Sequence, residues 1–263
     1  MQYLQVDYIK ENLHTFKFGR KLLYFPKLGS TNDQLMQLAR DQAPEGCVVV
    51  AEQQTAGRGR QGNNWYSPPG AGLYFSLLLR PQLPAIKLTG LTMALGISVA
   101  EALEKTAGIP VELKWPNDLF CRGRKLGGIL TEIVAKASEV DYVLVGVGLN
   151  INNEFVPLEL CETATSIRLE TGKSVFREGL MVEVLTNLES DYQKFTGDGL
   201  SGFTARIQPR FYLQQRWVKI ETEGNALHSG VVTGFDNQGS LLLIDESGGT
   251  LRFNSGTIAE VRE

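Results

Sequence analysis

The sequence predicts an α+β fold: a mixed β-sheet flanked by helices over residues 1–213, then a small β-barrel over residues 214–263. Three observations lead there. Short apolar runs of strand length alternate with helical periodicity as far as about residue 213. A long amphipathic stretch beginning at Ser174 closes that part. Beyond Gln214 only short β patterns with turn signals remain, five of them in about 50 residues, which suits a small barrel. With 263 residues, 43% of them hydrophobic, the chain can bury a core without disulfide staples.

The elements follow in order. Residues 22–25 (LLYF) are a short apolar strand ended by Pro26 and Gly29. Ser30-Thr31-Asn32-Asp33 starts a helix, with Ser30 or Thr31 as N-cap and Leu35, Leu38 and Ala39 as its apolar face. Pro44-Glu45-Gly46 turns the chain into a buried strand from Cys47 to Ala51. Residues 52–72 (EQQTAGRGRQGNNWYSPPGAG) contain almost nothing that can form a core, and a loop of that length in a compact domain is a functional candidate. LYFSLLLRP is the next strand. Residues 87–107 place Leu88, Leu91, Leu95, Val99, Ala102 and Leu103 on one helical face, stopped by Gly108 and Pro110. Val111 to Trp115 alternates as a strand, and Pro116-Asn117-Asp118 turns. Ile129 to Val134 and Tyr142 to Gly148 form a strand pair. Ser174 caps a helix running to about Phe195, with Leu180, Val184, Leu188 and Tyr192 on one side; a second short helix ends near Tyr212. RWVKIE, SGVVTGFD, SLLLID, TLRFNS and TIAEVR complete the chain as strands.

Composition excludes several functions. The formal charge of −3 argues against nucleic acid as the main partner. Cys47, Cys121 and Cys161 are widely separated, as are His14 and His228, so neither a disulfide framework nor a zinc site is expected. No run of 18 apolar residues suggests a membrane span, and the N-terminus lacks the layout of a signal peptide. A cytoplasmic location is therefore expected.

Three segments carry chemistry. In Gly57-Arg58-Gly59-Arg60, with Gly62, glycines let backbone N–H groups approach an anion, and arginines offer a fixed fork of donors to phosphate or carboxylate. An RNA-binding arginine–glycine segment is the competing reading of this loop alone. Lys114-Trp115-Pro116-Asn117-Asp118 delivers a lysine from a strand and two short polar residues after a proline; plain turn chemistry accounts equally for Asn117 and Asp118. Arg122-Gly123-Arg124-Lys125-Leu126-Gly127-Gly128 is either a basic hairpin tip or a lysine aimed at developing negative charge, with glycines admitting a ligand to the backbone. Ser30, Thr31, Asn32 and Gln54 could hydrogen-bond a polar ring. Thr171-Gly172-Lys173-Ser174 lacks the first glycine of a P-loop, because Ile167 stands there, and is a turn.

Taken as an ordered set, Ser30-Thr31-Asn32, Gln54 to Gly62, Trp65, Lys114 to Asp118, Lys125 to Leu130 and Gly146-Val147-Gly148-Leu149-Asn150 resemble the motifs of biotin protein ligases in sequence and spacing. The resemblance spans roughly residues 22–155, and the long helix and terminal barrel, SH3-like in that family, fit in outline. It implies two steps: biotin and MgATP give biotinyl-5′-AMP and pyrophosphate, then a lysine of a biotin carboxyl carrier domain, such as that of acetyl-CoA carboxylase, takes the biotin. It implies ATP with Mg²⁺ as co-substrate, no tightly bound cofactor, and either a monomer or a homodimer; from the net charge of −3 and the lack of a long apolar run, neither DNA nor a membrane is expected as a partner.

The same resemblance suggests site residues. Ser30, Thr31, Asn32 and Gln54 match biotin-ring contacts. Gly57, Arg58, Gly59 and Arg60 match the loop closing over biotin's carboxyl end and the phosphate, and Gly127 and Gly128 match backbone against which biotin packs. Arg60, Lys114, Asp118 and Lys125 match the catalytic set, with Lys125 at the carboxyl–phosphate junction and Mg²⁺ expected near Asp118. Arg58, Arg60, Trp65, Lys114, Asn117 and Asn150 match the nucleotide side. The loop continues Gln61-Gly62-Asn63-Asn64 where some of the family carry more basic residues, which shifts phosphate retention toward Arg60. About 21 residues precede the first strand, too few for a helix-turn-helix module, so no repressor role is expected. The alternatives are a lipoate–protein ligase, which shares the general catalytic fold, and a nucleic-acid-binding regulator using Arg58, Arg60, Arg122, Arg124 and Lys125. Competition between biotin and lipoate would separate the first, and a DNA shift assay the second. The loop from Thr55 to Ala71 is expected to be mobile when empty.

Overall fold

A computed structural model describes residues 3–136 and 139–262. Its first sheet has seven strands in the order β1-β2-β3-β7-β6-β5-β4. These are β1 (Leu22–Phe25), β2 (Val48–Ala51), β3 (Leu73–Leu79), β4 (Glu112–Lys114), β5 (Asp118–Cys121), β6 (Arg124–Lys136) and β7 (Glu139–Leu149). Only β1 and β2 run parallel, because helix α2 (Thr31–Arg40) crosses between them; the other neighbours are antiparallel. On one face α2 buries Leu35 and Ala39 against Val49, Leu78 and Leu144. On the other lie α3 (Leu91–Ala107) and α5 (Arg177–Asp198). Central β3 is buried at every position, which explains its continuous apolar run (LYFSLLL) with a single polar residue, Ser76.

The stretch Ala85–Ala107 is long and apolar enough to cross a membrane by length and composition alone, although no unbroken apolar run announced it. Most of it is buried within the protein, with Leu95, Val99 and Leu103 in the core. Gly108 ends α3 in the left-handed region at φ 66°, the role its position predicted.

Several boundaries differ from expectation. Helix α1 (Val6–Asn12) escaped notice because one short helix burying only Ile9 has no readable periodicity. Asp118 begins strand β5 rather than merely turning the chain. Arg122 and Gly123, at φ 49° and 79°, make the tight turn joining β5 to β6, where two consecutive positive φ values suit a two-residue hairpin. Ser174 does not cap α5, since its hydroxyl accepts from Arg168 at 2.7 Å and the helix begins at Arg177. Ser30 holds the N-cap position of α2 without a side-chain cap; Gln54 Oε1 instead accepts from Thr31 N at 2.9 Å. Met1 and Gln2, the start of the segment read for a signal peptide, lie outside the described residues.

Between the sheets come α4 (Ile167–Thr171) and, after α5, α6 (Thr204–Ile207), the short helix expected before Tyr212. The second sheet is antiparallel, in the order β11-β10-β9-β8-β12, from β8 (Trp217–Glu221), β9 (Leu227–Phe235), β10 (Leu241–Ile244), β11 (Thr250–Phe253) and β12 (Thr257–Arg262). Register shifts at Leu242/Leu243 and Ile258/Glu260 let so small a sheet curve. It packs against the β4–β5 turn and the start of α3: Trp115 Nε1 donates to Gly239 O at 2.9 Å, and Gly239 sits so close to Gly90 that a Cβ there would be 2.9 Å from its Cα.

Candidate active site

A cavity of about 180 Å³ opens between α2, the glycine–arginine loop, the β4–β5 turn and the middle of β6 and β7. The sheet creates it by glycine. Gly128, Gly146 and Gly148 lack the side chains that would fill it. A Cβ on Gly146 would lie 2.5 Å from Asn32 Oδ1, and one on Gly148 would lie 2.6 Å from the Trp65 ring.

One end is neutral and polar. Ser30, Thr31 and Asn32 are buried at the start of α2. Thr31 Oγ1 donates to Gln54 Oε1 at 3.1 Å, and Gln54 Nε2 donates to Ser67 Oγ at 3.0 Å. Beneath them Ser76 Oγ, fully buried, bonds Thr31 Oγ1 at 2.7 Å and makes a short contact with Asn32 Oδ1. Because Thr31, Asn32, Gln54 and Ser76 already have partners in the protein, their remaining lone pairs and protons point in fixed directions.

The other end is cationic. Four cations, Arg58, Arg60, Lys114 and Lys125, line the cavity together with one acid, Asp118. Lys125 Nζ lies 2.7 Å from Asp118 Oδ1 and 5.4 Å from the Trp65 ring centroid. Lys114 Nζ sits 4.8 Å over the Phe120 ring. Burial lowers the Lys114 pKa below 10.5, with Asp118 opposing that shift, and burial likewise lowers Arg60, again against Asp118. Both cations are thus held partly desolvated, where an incoming anion interacts more strongly than in water. Arg60 Nη1 donates to Gly256 O at 3.2 Å, and the neighbouring Gln61 Oε1 accepts from Thr257 Oγ1 at 2.7 Å, so the second sheet holds the loop. The buried Trp65 Nε1, which lies over Gly148, has no acceptor within the protein.

Three residues named from the sequence lie behind this lining. Gly57 braces the loop: its O accepts from Trp65 N at 2.8 Å, and a Cβ would meet Trp65 O at 2.7 Å. Gly127 packs under Leu149. Asn150, just past the end of β7, donates to Thr165 O at 3.0 Å. Asn117 lines the cavity with its side chain spent on Ile129 O at 2.9 Å, which pins β6 beside Lys125. Arg122 and Arg124 do not join the cluster of cations; both pair with the buried Glu170, at 3.1 and 2.6 Å. Sequence reasoning missed Asp33 and Glu132, which hold Arg58 at 2.7 and 3.2 Å, and Ser76, Gln61 and Thr257. Ser76 had a signal, as the one polar residue of an apolar strand. Thr257 had none, being 196 residues from Gln61.

The arrangement suits a ligand with a neutral hydrogen-bonding head and an anionic tail, beside a second anion. Holding two anions together in a water-poor site is what makes a bond between them accessible. No group of three His, Cys, Asp or Glu able to hold a metal occurs among the described residues. Asp118 could contribute one carboxylate to a cation that arrives on phosphate oxygens, which is how Mg²⁺ commonly binds.

The profile of the biotin/lipoate A/B protein ligase family matches residues 24–150. A bifunctional ligase/repressor BirA of Bacillus subtilis is 35% identical over 243 residues, covering 91% of this chain and 74% of that protein. A biotin–[acetyl-CoA-carboxylase] ligase of Mycobacterium tuberculosis is 31% identical over 249 residues, covering 92% and 90%. Among solved structures, a biotin protein ligase from Aquifex aeolicus in complex with biotin and ATP superposes with a TM-score of 0.79 at 33% identity, covering 92% of this chain and 99% of that one.

Proposed function

The chain belongs to the biotin protein ligase family, and we propose that the cavity between α2 and the glycine–arginine loop is where it carries out the family's reaction. It is an ATP-dependent biotin–[biotin carboxyl carrier protein] ligase. A carboxylate oxygen of biotin attacks the α-phosphorus of ATP, pyrophosphate leaves, and biotinyl-5′-AMP forms. The carrier lysine's neutral amine then attacks the acyl carbon; an amide forms, AMP leaves and the amine's proton is released. The observation that supports this site best is the junction of the neutral pocket at Ser30, Thr31, Asn32 and Gln54 with the cations Arg58, Arg60, Lys114 and Lys125.

On this reading the neutral end takes the biotin ring and the tail runs toward Lys125 over Gly128. Lys125 and Arg60 offset the charge that grows where carboxylate meets phosphate. Lys114 holds phosphate oxygens, and the unanswered Trp65 Nε1 offers the nucleotide a donor. Asp118 keeps Lys125 oriented, and Mg²⁺ bound to ATP supplies further charge neutralisation there. Gly57 supports Trp65, Gly127 supports Gly128, and Asn117 and Asn150 shape the walls rather than donating directly. Residues 1–213 form the catalytic unit and residues 214–263 a second unit that holds the loop at Arg60 and Gln61. We assign it a cytoplasmic location with no DNA partner, in keeping with its net charge of −3 and unpaired Cys47, Cys121 and Cys161.

Labelled biotin, MgATP and a carrier domain test this directly. ATP-dependent label on the carrier is expected, together with biotinyl-AMP detectable by mass when the carrier is left out. No label, or label that lipoate competes away more strongly than biotin, overturns the reading.

A further inference from the structure

One carboxylate joins the two ends of the cavity. Glu132 stands on β6, directly opposite Leu144 of β7, outside every motif of the sequence. Its Oε2 accepts from Asn32 Nδ2 at 2.6 Å and from Arg58 Nη2 at 3.2 Å. Asn32 is itself rigid: it is 3% exposed, Ser76 holds its Oδ1 from below, and the Gly146 backbone allows it no room to shift. Arg58 belongs to the glycine-rich loop, which has little core of its own. Asp33, one residue after Asn32, takes the same Arg58 nitrogen at 2.7 Å.

The bond to Glu132 settles which way the Asn32 amide faces. With Nδ2 given to a carboxylate, Oδ1 faces Ser76, and the amide cannot turn over without setting two acceptors against each other. The ion pairs to Arg58 are of a different kind. Arg58 and Glu132 side chains are 37% and 28% exposed, and the Asp33 side chain is 54% exposed. Exposed pairs of this sort are weak, so they can be exchanged for a ligand's carboxylate or phosphate.

Resting on the reading of this cavity as a biotin and ATP site, we propose that Glu132 is a positioning residue that couples ring binding to the loop. It fixes the Asn32 amide for the ring, and with Asp33 it holds Arg58 beside the site, so that the loop is poised over the ligand rather than free. The two duties use one oxygen and can be separated by chemistry. Glu132→Gln keeps an oxygen for Asn32 but removes the charge that attracts Arg58. Glu132→Ala removes both.

The experiment measures biotin KM, ATP KM and kcat for adenylate formation, and trypsin cleavage at Arg58 in the empty protein, for wild type and both variants, with Tm as a folding control. Glu132→Gln is expected to leave biotin KM within about twofold, to lower kcat severalfold and to speed cleavage at Arg58. Glu132→Ala is expected to show those changes and in addition to raise biotin KM about tenfold or more. Asp33→Asn should reproduce only the loop effects. Equal losses in Gln and Ala variants, or wild-type kinetics in both, overturn the proposal. If Glu132→Ala fails to fold, Glu132→Gln still decides it, since unchanged kcat and unchanged cleavage would refute the link to Arg58. Wild-type protein that forms no biotinyl-AMP would instead sink the underlying site reading.

Discussion

At the scale of single residues the site depends on where charge is desolvated. Lys125 is the cation nearest Asp118, at 2.7 Å, and faces the Trp65 ring. Lys125→Ala is expected to slow biotinyl-AMP formation by about 10²-fold or more, as loss of one aimed electrostatic donor does elsewhere, with little change in Tm. A stopped assay of pyrophosphate release checks it, and unchanged turnover would remove Lys125 from the reaction. Lys114 gives a pH signature. Burial lowers its pKa below 10.5, so the folded protein releases this proton at a lower pH than the unfolded chain does. Two consequences follow from that sign. Between the folded pKa and 10.5 the unfolded state binds more protons, so this group's contribution to stability improves as pH rises. Over the same range the site loses a phosphate-binding charge, so ATP KM should climb at a lower pH than an ordinary lysine would cause. Lys114→Arg, charged throughout, should flatten that climb in a KM-versus-pH profile. Lys114, Lys125, Arg58 and Arg60 were all legible in the sequence, because cations beside glycine and proline stand out. Asp33 and Glu132 were not, because a lone acid on a helix or strand looks like solvated surface until its partner is placed.

At the scale of elements, β6 and β7 act as the floor of the cavity because their glycines leave space. The two glycines of β7 give a paired test. In Gly146→Ala the new methyl would meet Asn32, and in Gly148→Ala it would meet Trp65. Gly146→Ala is expected to raise biotin KM preferentially, and Gly148→Ala to raise ATP KM preferentially. Steady-state kinetics with each substrate varied in turn would show the split; the same pattern in both would argue against two distinct ends. Helix α3 was readable from its period, and the strands of the second sheet from short β patterns between turn signals. Strand β5 was hidden, because Asp118-Leu119-Phe120-Cys121 follows Pro116 and ends at a turn set by the positive φ of Arg122 and Gly123. A four-residue strand has too little pattern to compete with such turn signals.

For the molecule as a whole, one buried acid ties distant parts together. Glu52, fully buried, pairs with Arg177 of α5 at 2.6 Å and accepts from Gly70 N at 2.9 Å and from Leu4 N at 3.0 Å. It therefore anchors the far end of the glycine–arginine loop to α5 and to the N-terminal segment. Glu52→Gln removes the carboxylate charge from this buried ion pair with Arg177 and should cost about 3–5 kcal/mol of stability, measured by urea denaturation. A loss below about 1 kcal/mol would mean that this ion pair contributes little to stability. The sequence by itself determined the alternation of elements, the change to an all-β end after Gln214, the reactive residue types and the family they resemble, since periodicity, turn chemistry and motif order are local properties. Only the tertiary structure decided which cations share the cavity: Arg122 and Arg124 turn to Glu170, whereas Lys114, 11 residues from Lys125 in sequence order, joins it. It also decided that Thr257 and Gly256 reach the loop and that Glu132 links Asn32 to Arg58. Those contacts arise from strand register and from the docking of one sheet on another, and no local pattern of residues encodes either.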